Sequence, residues 1–254
     1  MRLEDRVAII TGGGMGIGRA FCFGLAEEGA KVVAADINLE GAEKTVKELQ
    51  EQRKEAQAIR TDVSDEKSVT EMVQNTVKRF GKVDILINNA ALFTALGPAK
   101  PWTKIDVTEW DKVMAVNLKG LFLCSRAVVP HMLSQGRGRI INVSSALAYK
   151  GIAGRLHYVT SKAGVLGFTR GLARELAGTN ITVNSIGLGQ TMSEGLINRG
   201  DVTPESISRL KAQRCVQREI YPKDIVGTVV FLASDDSEFI CGQTIIADGG
   251  IVFI

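Results

Sequence analysis

The sequence predicts an α/β fold: a doubly wound, mostly parallel seven-stranded sheet (Rossmann-like) with helices on both faces, in a single domain over residues 1–254. Three observations carry this. Short runs rich in Val, Ile and Ala alternate with longer segments of helical period. A crowd of glycines joins the first apolar run to the first helix-like segment in "VAIITGGGMGIGRAF", Val7 to Phe21. The chain has 254 residues, 45% hydrophobic and 23% charged, with no linker, repeat or low-complexity tract to divide one large core.

In chain order, the first strand is expected at Val7–Ile10, followed by the glycine turn and a helix over Gly16–Glu28. Lys31–Ala35 reads as the second strand, and Glu40–Gln52 as the helix that returns the chain. Ala56–Thr61 and Glu66–Phe80 come next, the helix start marked by Ser64 or Asp65. Val83–Ile87 leads to a long helix over Thr108–Leu133. The strand Arg139–Val143, the helix His157–Ala177 and the strand Ile181–Ile186 repeat the unit. Pro222–Ala233, with Asp224 near its start, precedes the last strand, Thr244–Ala247. Residues 187–221 break the alternation with a stretch rich in Gly, Ser, Thr and Arg, and a short helix is expected after Pro204. Insertions of this length are often lids over a site.

Several function classes are disfavoured. The start, Met1–Asp5, is too charged for a signal peptide, and no apolar run approaches the roughly 20 residues that cross a bilayer. The expectation is a soluble, cytoplasmic chain with no membrane partner. Cys22, Cys124, Cys215 and Cys241 lie far apart, and with only two histidines they suggest neither a disulfide framework nor a metal site. The net charge of +3 comes from interleaved basic and acidic residues rather than a basic stripe, so nucleic acid is not an expected partner.

In an open parallel sheet, ligands bind outside the carboxyl ends of the strands, where a glycine turn bares N–H groups and a helix start favours phosphate. G-x-G-x-x-G fails in every frame here, and the P-loop fails because Arg19 and Ala20 follow Gly18. What remains is Thr11-Gly12-x-x-x-Gly16-Ile17-Gly18, a spacing that a strand-to-helix turn without a ligand could also use. Asp36 supplies context. It ends the second strand-like run about 20 residues on, where an acid accepts hydrogen bonds from an adenosine ribose and repels a 2′-phosphate. Asp36 is also an ordinary turn residue by type. The expected cofactor is NAD rather than NADP.

Tyr158 and Lys162 are four apart in a helix-like segment and so share a face. A phenol of pKa about 10 is a poor proton carrier near neutrality, but a close ammonium lowers that value. Tyr158 then serves as general acid or base. Ser144 and Ser145 end a strand-like run, where a hydroxyl can bond a substrate carbonyl or alcohol; a turn or capping serine is the other reading. A serine nucleophile is disfavoured by the lack of a G-x-S-x-G elbow.

With these residues in place, the chain resembles the single-domain short-chain dehydrogenases/reductases over almost its full length. The resemblance rests on the glycine motif, Asp62-Val63, "NNAA" at Asn88–Ala91, Asn117, Ser145, Tyr158-x-x-x-Lys162 and "DGG" at Asp248–Gly250. It implies that Tyr158 exchanges the proton, Lys162 lowers its pKa and holds the nicotinamide ribose, and Ser145 rather than Ser144 orients the reacting oxygen. It implies that Asn117 helps hold a water relaying protons to Lys162. Asp62 and Val63 would contact adenine, Asn89 and Ala90 would line the cofactor path, and Thr191 and Ser193 would reach the carboxamide. Two residues depart from the family pattern: Ala91 stands for Gly, where a methyl could crowd the cofactor, and Leu188 stands for Pro, which could loosen the following loop.

The expected reaction is hydride transfer between NAD(H) and a secondary alcohol or ketone. Leu92, Phe93, Leu147, Tyr149, Leu156, His157, Leu188 and Met192 near the candidate loops suggest an apolar or aromatic substrate, while Lys150 and Arg155 could serve an acidic one. The alternatives are an NADPH-dependent oxoacyl reductase, which Asp36 disfavours, and a non-catalytic dinucleotide-binding sensor or scaffold. Ala163, Gly167 and Gly171 form a small-residue stripe whose partner is either this chain's own sheet or a second subunit. The resemblance implies a homo-oligomer, dimer or tetramer, and the apolar terminus "GGIVFI" suits burial against a neighbour.

Overall fold

A computed structural model of the chain describes residues 1–198 and 202–254. The elements run β1 (Val7–Thr11), α1 (Gly16–Glu27), β2 (Lys31–Asp36), α2 (Leu39–Glu51), β3 (Ala56–Arg60), α3 (Glu66–Phe80), β4 (Ile85–Asn88) and α4 (Val107–Met114). A π-helical turn, Ala115–Lys119, then leads into α5 (Gly120–Gln135), β5 (Gly138–Ser145), α6 (Leu147–Lys150), α7 (Leu156–Glu175) and β6 (Ile181–Leu188). The chain ends with α8 (Glu194–Ile197), α9 (Pro204–Gln213), α10 (Lys223–Ala233) and β7 (Thr244–Ala247).

The seven strands form one parallel sheet in the order β3-β2-β1-β4-β5-β6-β7. Alternate residues of each buried strand feed opposite faces. In β1, Ala8 and Ile10 join Phe21 and Leu25 of α1 and Val229 of α10, while Ile9 joins Met72 of α3 and Val128 of α5. α1, α2 and α10 thus cover one face, and α3, α5 and α7 the other. The order reverses between β1 and β4, where consecutive connections leave in opposite directions and open a crevice at the carboxyl ends.

Local chemistry sets the helix starts. The Asn38 side-chain carbonyl accepts from Gly41 N at 3.3 Å, Asp65 accepts from Lys67 N at 3.2 Å, and Asp106 accepts from Thr108 N at 2.7 Å. Gly81 stops α3 in the left-handed region at φ +81°. At the amino ends of the strands, buried Asp84 accepts from Val7 N at 2.9 Å and pairs with Lys82 at 3.1 Å.

Several boundaries differ from the sequence expectation. The helix expected as one piece over Thr108–Leu133 is broken by the π turn, whose Gly120 N–H reaches back five residues to Ala115 O. Together α4, the π turn and α5 make a 29-residue rod, Val107–Gln135, which by length and composition is apolar enough to cross a membrane. Charged residues from Glu109 to Arg126 interrupt it, and Leu123, Cys124, Val128 and Met132 of the rod pack on the sheet. β5 and β6 each run two residues further than expected. Polar Ser144 and Ser145 still pair with Gly187 and Leu188, so the ladder outlasts the apolar pattern. Leu188 is the last residue of β6 and pairs also with Ala247.

Residues 187–221 contain α8 and α9, with residues 199–201 of the expected lid outside the described residues. α8 bridges the crevice. A Cβ added at Gly195 would lie 3.2 Å from Thr94 and 3.5 Å from Met15, one on each rim.

Candidate active site

The glycine turn is shaped by close approaches. Gly12 and Gly16 hold φ of +69° and +57°, a region costly for residues with a Cβ. A Cβ at Gly18 would sit 1.9 Å from Gly12 O, and one at Gly14 would sit 2.9 Å from the Asp36 carboxylate. α1 starts at Gly16 with Met15 before it and no side-chain cap, so its first N–H groups face the crevice mouth with the positive end of the helix dipole. Ile17 packs on the core from this turn.

A hydrogen-bonded clip joins β1 to β4 beneath the turn. Thr11 Oγ1 accepts from Asn89 N (3.0 Å) and Ala90 N (3.1 Å), and Asn89 Nδ2 donates to Thr11 O (2.9 Å) and Gly12 O (3.2 Å). Thr11 and Asn89 therefore act on the turn by shaping it. Asp36 accepts from Gly14 N through Oδ2 and from Asn38 N through Oδ1, both at 2.9 Å. Two of about four lone-pair sites on that carboxylate remain for a ligand. Arg19, the first cation after the turn, is paired with Glu48. Asp62 accepts from Ser64 N at 2.9 Å, while Val63 is buried against Gly120. Ala91 is exposed.

On the other side of the crevice, β5 and α7 bring the reacting set together. Ser145, the last residue of β5, donates to Leu188 O at 3.4 Å and accepts from Leu147 N at 3.2 Å. Ser144 points elsewhere, donating to Lys162 O at 2.8 Å. Tyr158 and Lys162 occupy successive turns of α7 and are 8% and 3% exposed. The ammonium lies 6.0 Å from the Tyr158 ring centroid and donates to Val143 O at 2.7 Å.

The electrostatics differ from the sequence expectation. Burial pushes the Tyr158 phenol up to about 12, with the Ser145 hydrogen bond opposing the rise, and burial pushes Lys162 down to about 8. Burial therefore sets the direction of the phenol's shift. The cation is itself desolvated and bonded to Val143 O.

Asn117 lies in the π turn, where its side chain fastens the segment after β4 to α7. Oδ1 accepts from Leu92 N at 2.7 Å, and Nδ2 donates to Ser161 Oγ at 3.1 Å and Leu92 O at 3.3 Å. Both amide hydrogens are committed. Next to it a polar cavity of about 10 Å³ is lined by Thr11, Asn88, Asn117, Val143 and Lys162. That volume is about what one water needs. Thr191 donates to Gly189 O at 3.0 Å, and Ser193 caps α8 at the Leu196 N–H and lies over Gly16.

Of the expected apolar residues, Leu92, Phe93 and Leu147 pack round Tyr158 together with Leu96 and Val113. The others are placed differently. His157 is fully buried against Glu109, Leu188 is in the core, Leu156 is exposed, and Met192 lines an outer groove with Phe23 and Ile197. Lys150 is tied to Gln213 of α9, and Arg155 to the carbonyls of Leu96 and Gly97. Glu109 and Lys100 next to α7 carry no signal in the sequence. Their closeness depends on how α4 meets α7.

Residues 6–201 match the family model described as short chain dehydrogenase. The chain belongs to the short chain dehydrogenase family. It is 38% identical to the 3-oxoacyl-(acyl-carrier-protein) reductase FabG of Thermotoga maritima over 99% of this chain and 100% of that one. It is 39% identical to the (2S)-((R)-hydroxy(phenyl)methyl)succinyl-CoA dehydrogenase subunit BbsD of Thauera aromatica, over 98% of each. Among solved structures of similar short chain dehydrogenases, levodione reductase superposes with a TM-score of 0.92 at 33% identity, covering 98% of each chain. A 7α-hydroxysteroid dehydrogenase complexed with NADH and 7-oxo glycochenodeoxycholic acid gives 0.92 at 32% identity, covering 98% of this chain and 95% of that one. The short chain dehydrogenase fold and an oxidoreductase activity with a nicotinamide dinucleotide follow from membership.

Proposed function

We propose that this short chain dehydrogenase transfers hydride between NAD(H) and a secondary alcohol or ketone with an apolar or aromatic flank. The observation that carries the reading is the convergence of Ser145, Tyr158 and Lys162 at the crevice, with Leu92, Phe93 and Leu147 round the tyrosine. The glycine turn, packed so closely that a Cβ at Gly18 would strike Gly12 O, leads into the uncapped start of α1, whose free N–H groups fit a pyrophosphate. Gly12, Gly16, Ile17 and Gly18 would hold it, with Asp36 accepting from the ribose, Asp62 and Val63 at the adenine, and Asn89 and Ala90 along the path. Thr191 and Ser193 would meet the carboxamide, and Lys162 the nicotinamide ribose. When bound, the cofactor supplies or takes up the hydride.

The chain's own residues handle the proton. In ketone reduction Ser145 donates a hydrogen bond to the carbonyl oxygen, and Tyr158 transfers its phenolic proton there as the carbon accepts hydride. A phenol raised to about 12 carries that proton at neutral pH, the form that reduction uses. Lys162, with its proton held near neutrality, restores it, and the water-sized cavity beside Asn117 supports a relay to it. No metal enters the scheme, and the free thiols Cys22, Cys124, Cys215 and Cys241 fit a reducing, cytoplasmic setting.

NAD is supported by the Asp36 carboxylate and by the engagement of Arg19 with Glu48. The second reading is oxidoreduction of a 3-oxoacyl or 3-hydroxyacyl thioester. It is favoured by the names of the Thermotoga and Thauera relatives, and by Arg60 lying next to Asp36 in register, where it could offset repulsion of a 2′-phosphate. A panel of ketones, secondary alcohols and one oxoacyl thioester, assayed with NADH and NADPH by absorbance, separates the readings. An apolar or aryl ketone consuming NADH at least tenfold faster than NADPH supports the first, and an Asp36→Ala variant should narrow that ratio. Preference for NADPH in the parent contradicts it.

A homo-oligomer, dimer or tetramer, is part of the proposal. Ala163, Gly167 and Gly171 face outward on α7: a Cβ added at either glycine would meet nothing within 4 Å, so the stripe does not pack on the chain's own sheet. Phe122 and Leu133 of α5 and the terminal Phe253 and Ile254 are also exposed. A monomer by size exclusion at working concentration would remove this part.

A further inference from the structure

Residues 93–100, between β4 and α4, are fastened to the start of α7 at three points. The buried Arg155 guanidinium donates from Nη2 to Gly97 O at 2.6 Å and from Nη1 to Leu96 O at 3.4 Å. Lys100 N donates to Gly154 O at 3.3 Å. Glu109 bridges Lys100 Nζ and His157 Nε2. These anchors on α7 and the loop before it directly flank Tyr158 in the chain, and the fastened segment presses Phe93 onto that tyrosine. The two ring centroids are 4.6 Å apart with the planes at 44°, and the Arg155 guanidinium lies 5.9 Å from the centre of the same Phe93 ring.

We propose that Phe93 is a specificity-determining wall of the ketone site and that Arg155 is the positioning residue that holds it against Tyr158. The inference rests on Tyr158 being the proton carrier. Gly97 takes φ +62°, so the chain bends sharply where the guanidinium binds, and Ala95, Pro98 and Ala99 are exposed on either side. Leu96 is the one residue of this stretch buried in the small cluster with Tyr158. A charge-assisted bond to two carbonyls at that bend holds more than one leucine does, because a buried guanidinium left without acceptors is costly. The Phe93 ring lies tilted against the Tyr158 ring, which is left 8% exposed, so a substrate carbonyl reaching the hydroxyl must pass beside Phe93. The width of that passage decides how bulky a flank next to the carbonyl can be.

The test is a double-mutant cycle of Phe93→Ala and Arg155→Met, with Tyr158→Phe as control. KM and kcat are measured for the most active aryl ketone of the panel and for a homologue carrying a second ring next to the carbonyl. NADH affinity is read by fluorescence. Each single variant should raise KM for the smaller ketone at least tenfold, with kcat within threefold and NADH affinity within twofold. Each should also improve kcat/KM for the bulkier ketone relative to the smaller by at least fivefold. The double variant should resemble Phe93→Ala to within twofold, because the guanidinium acts through the ring. Additive losses, an unchanged size preference, or NADH affinity falling along with KM would overturn the proposal. Should Arg155→Met not fold, Lys100→Met loosens the same segment from its other end and must shift the size preference in the same direction. Tyr158→Phe keeps the tests apart. If it still turns over, the proton-carrier reading is what fails; if it is inactive while the size preference ignores Phe93 and Arg155, only this inference fails.

Discussion

Replacing Lys162 by Met tests whether the site's cation is held at a cost to the fold. The ammonium is 3% exposed, and burial moves it from an ordinary 10.5 to about 8. The sign comes from proton counting. Between those values the unfolded chain binds the proton and the folded chain has released it, so stability rises with pH across the window. Below about 8 both states are protonated and the folded state carries the full penalty. Single-site linkage puts that penalty at roughly 3 kcal/mol at pH 7 and under about 1 kcal/mol at pH 10. Met keeps most of the length of the side chain and does not titrate. Loss of the bond to Val143 O costs about 1 kcal/mol or more at both pH values and cancels in the comparison. Urea unfolding of both proteins at pH 7, 8, 9 and 10 should therefore show the parent gaining roughly 2–3 kcal/mol on the Met variant, with unchanged m-values. A difference that stays flat within about 0.5 kcal/mol would refute a desolvated lysine at this position.

Other sites give sharper or simpler outcomes. Gly18→Ala would place a methyl 1.9 Å from Gly12 O, so the turn must open; NADH binding by fluorescence should weaken more than tenfold while the far-ultraviolet circular dichroism stays near the parent's. Asp84→Ala leaves Val7 N without its 2.9 Å acceptor and removes the partner of Lys82, and should cost about 3 kcal/mol in urea unfolding without changing KM. An altered KM in that variant would mean that the amino ends of the strands reach the site.

Some of this is legible from residue types alone. The strand order's main unit, the glycine turn and its carboxylate can be read because Val and Ile runs, helical periods and Gly12, Gly16 and Gly18 each answer to local sterics. The ends of β5 and β6 cannot, since Ser144, Ser145 and Gly187 continue the ladder after apolarity stops. The π turn is hidden because one extra residue inside Thr108–Leu133 scarcely disturbs a helical pattern. In the candidate site, the Tyr158–Lys162 spacing predicts a shared face and the structure gives one. The direction of the Tyr158 shift is opposite to what that spacing suggests, because it depends on burial by Phe93, Leu96 and Val113, which are far off in the chain. Asp36 stands where the βαβ pattern places it, but its bond to Gly14 N, which makes it part of the turn, depends on a contact 22 residues away. Arg155 suits an acidic substrate by residue type; in the fold it binds two backbone carbonyls of this chain.

The central claim is that Tyr158 carries the proton in a nicotinamide-dependent carbonyl reduction. Its most direct measurement is the single-turnover rate of NADH oxidation by Tyr158→Phe with the best ketone of the panel, alongside the NADH dissociation constant. The account predicts a rate at least a thousandfold below the parent with NADH affinity within threefold. A rate within tenfold of the parent, with the cofactor bound equally well, would contradict it.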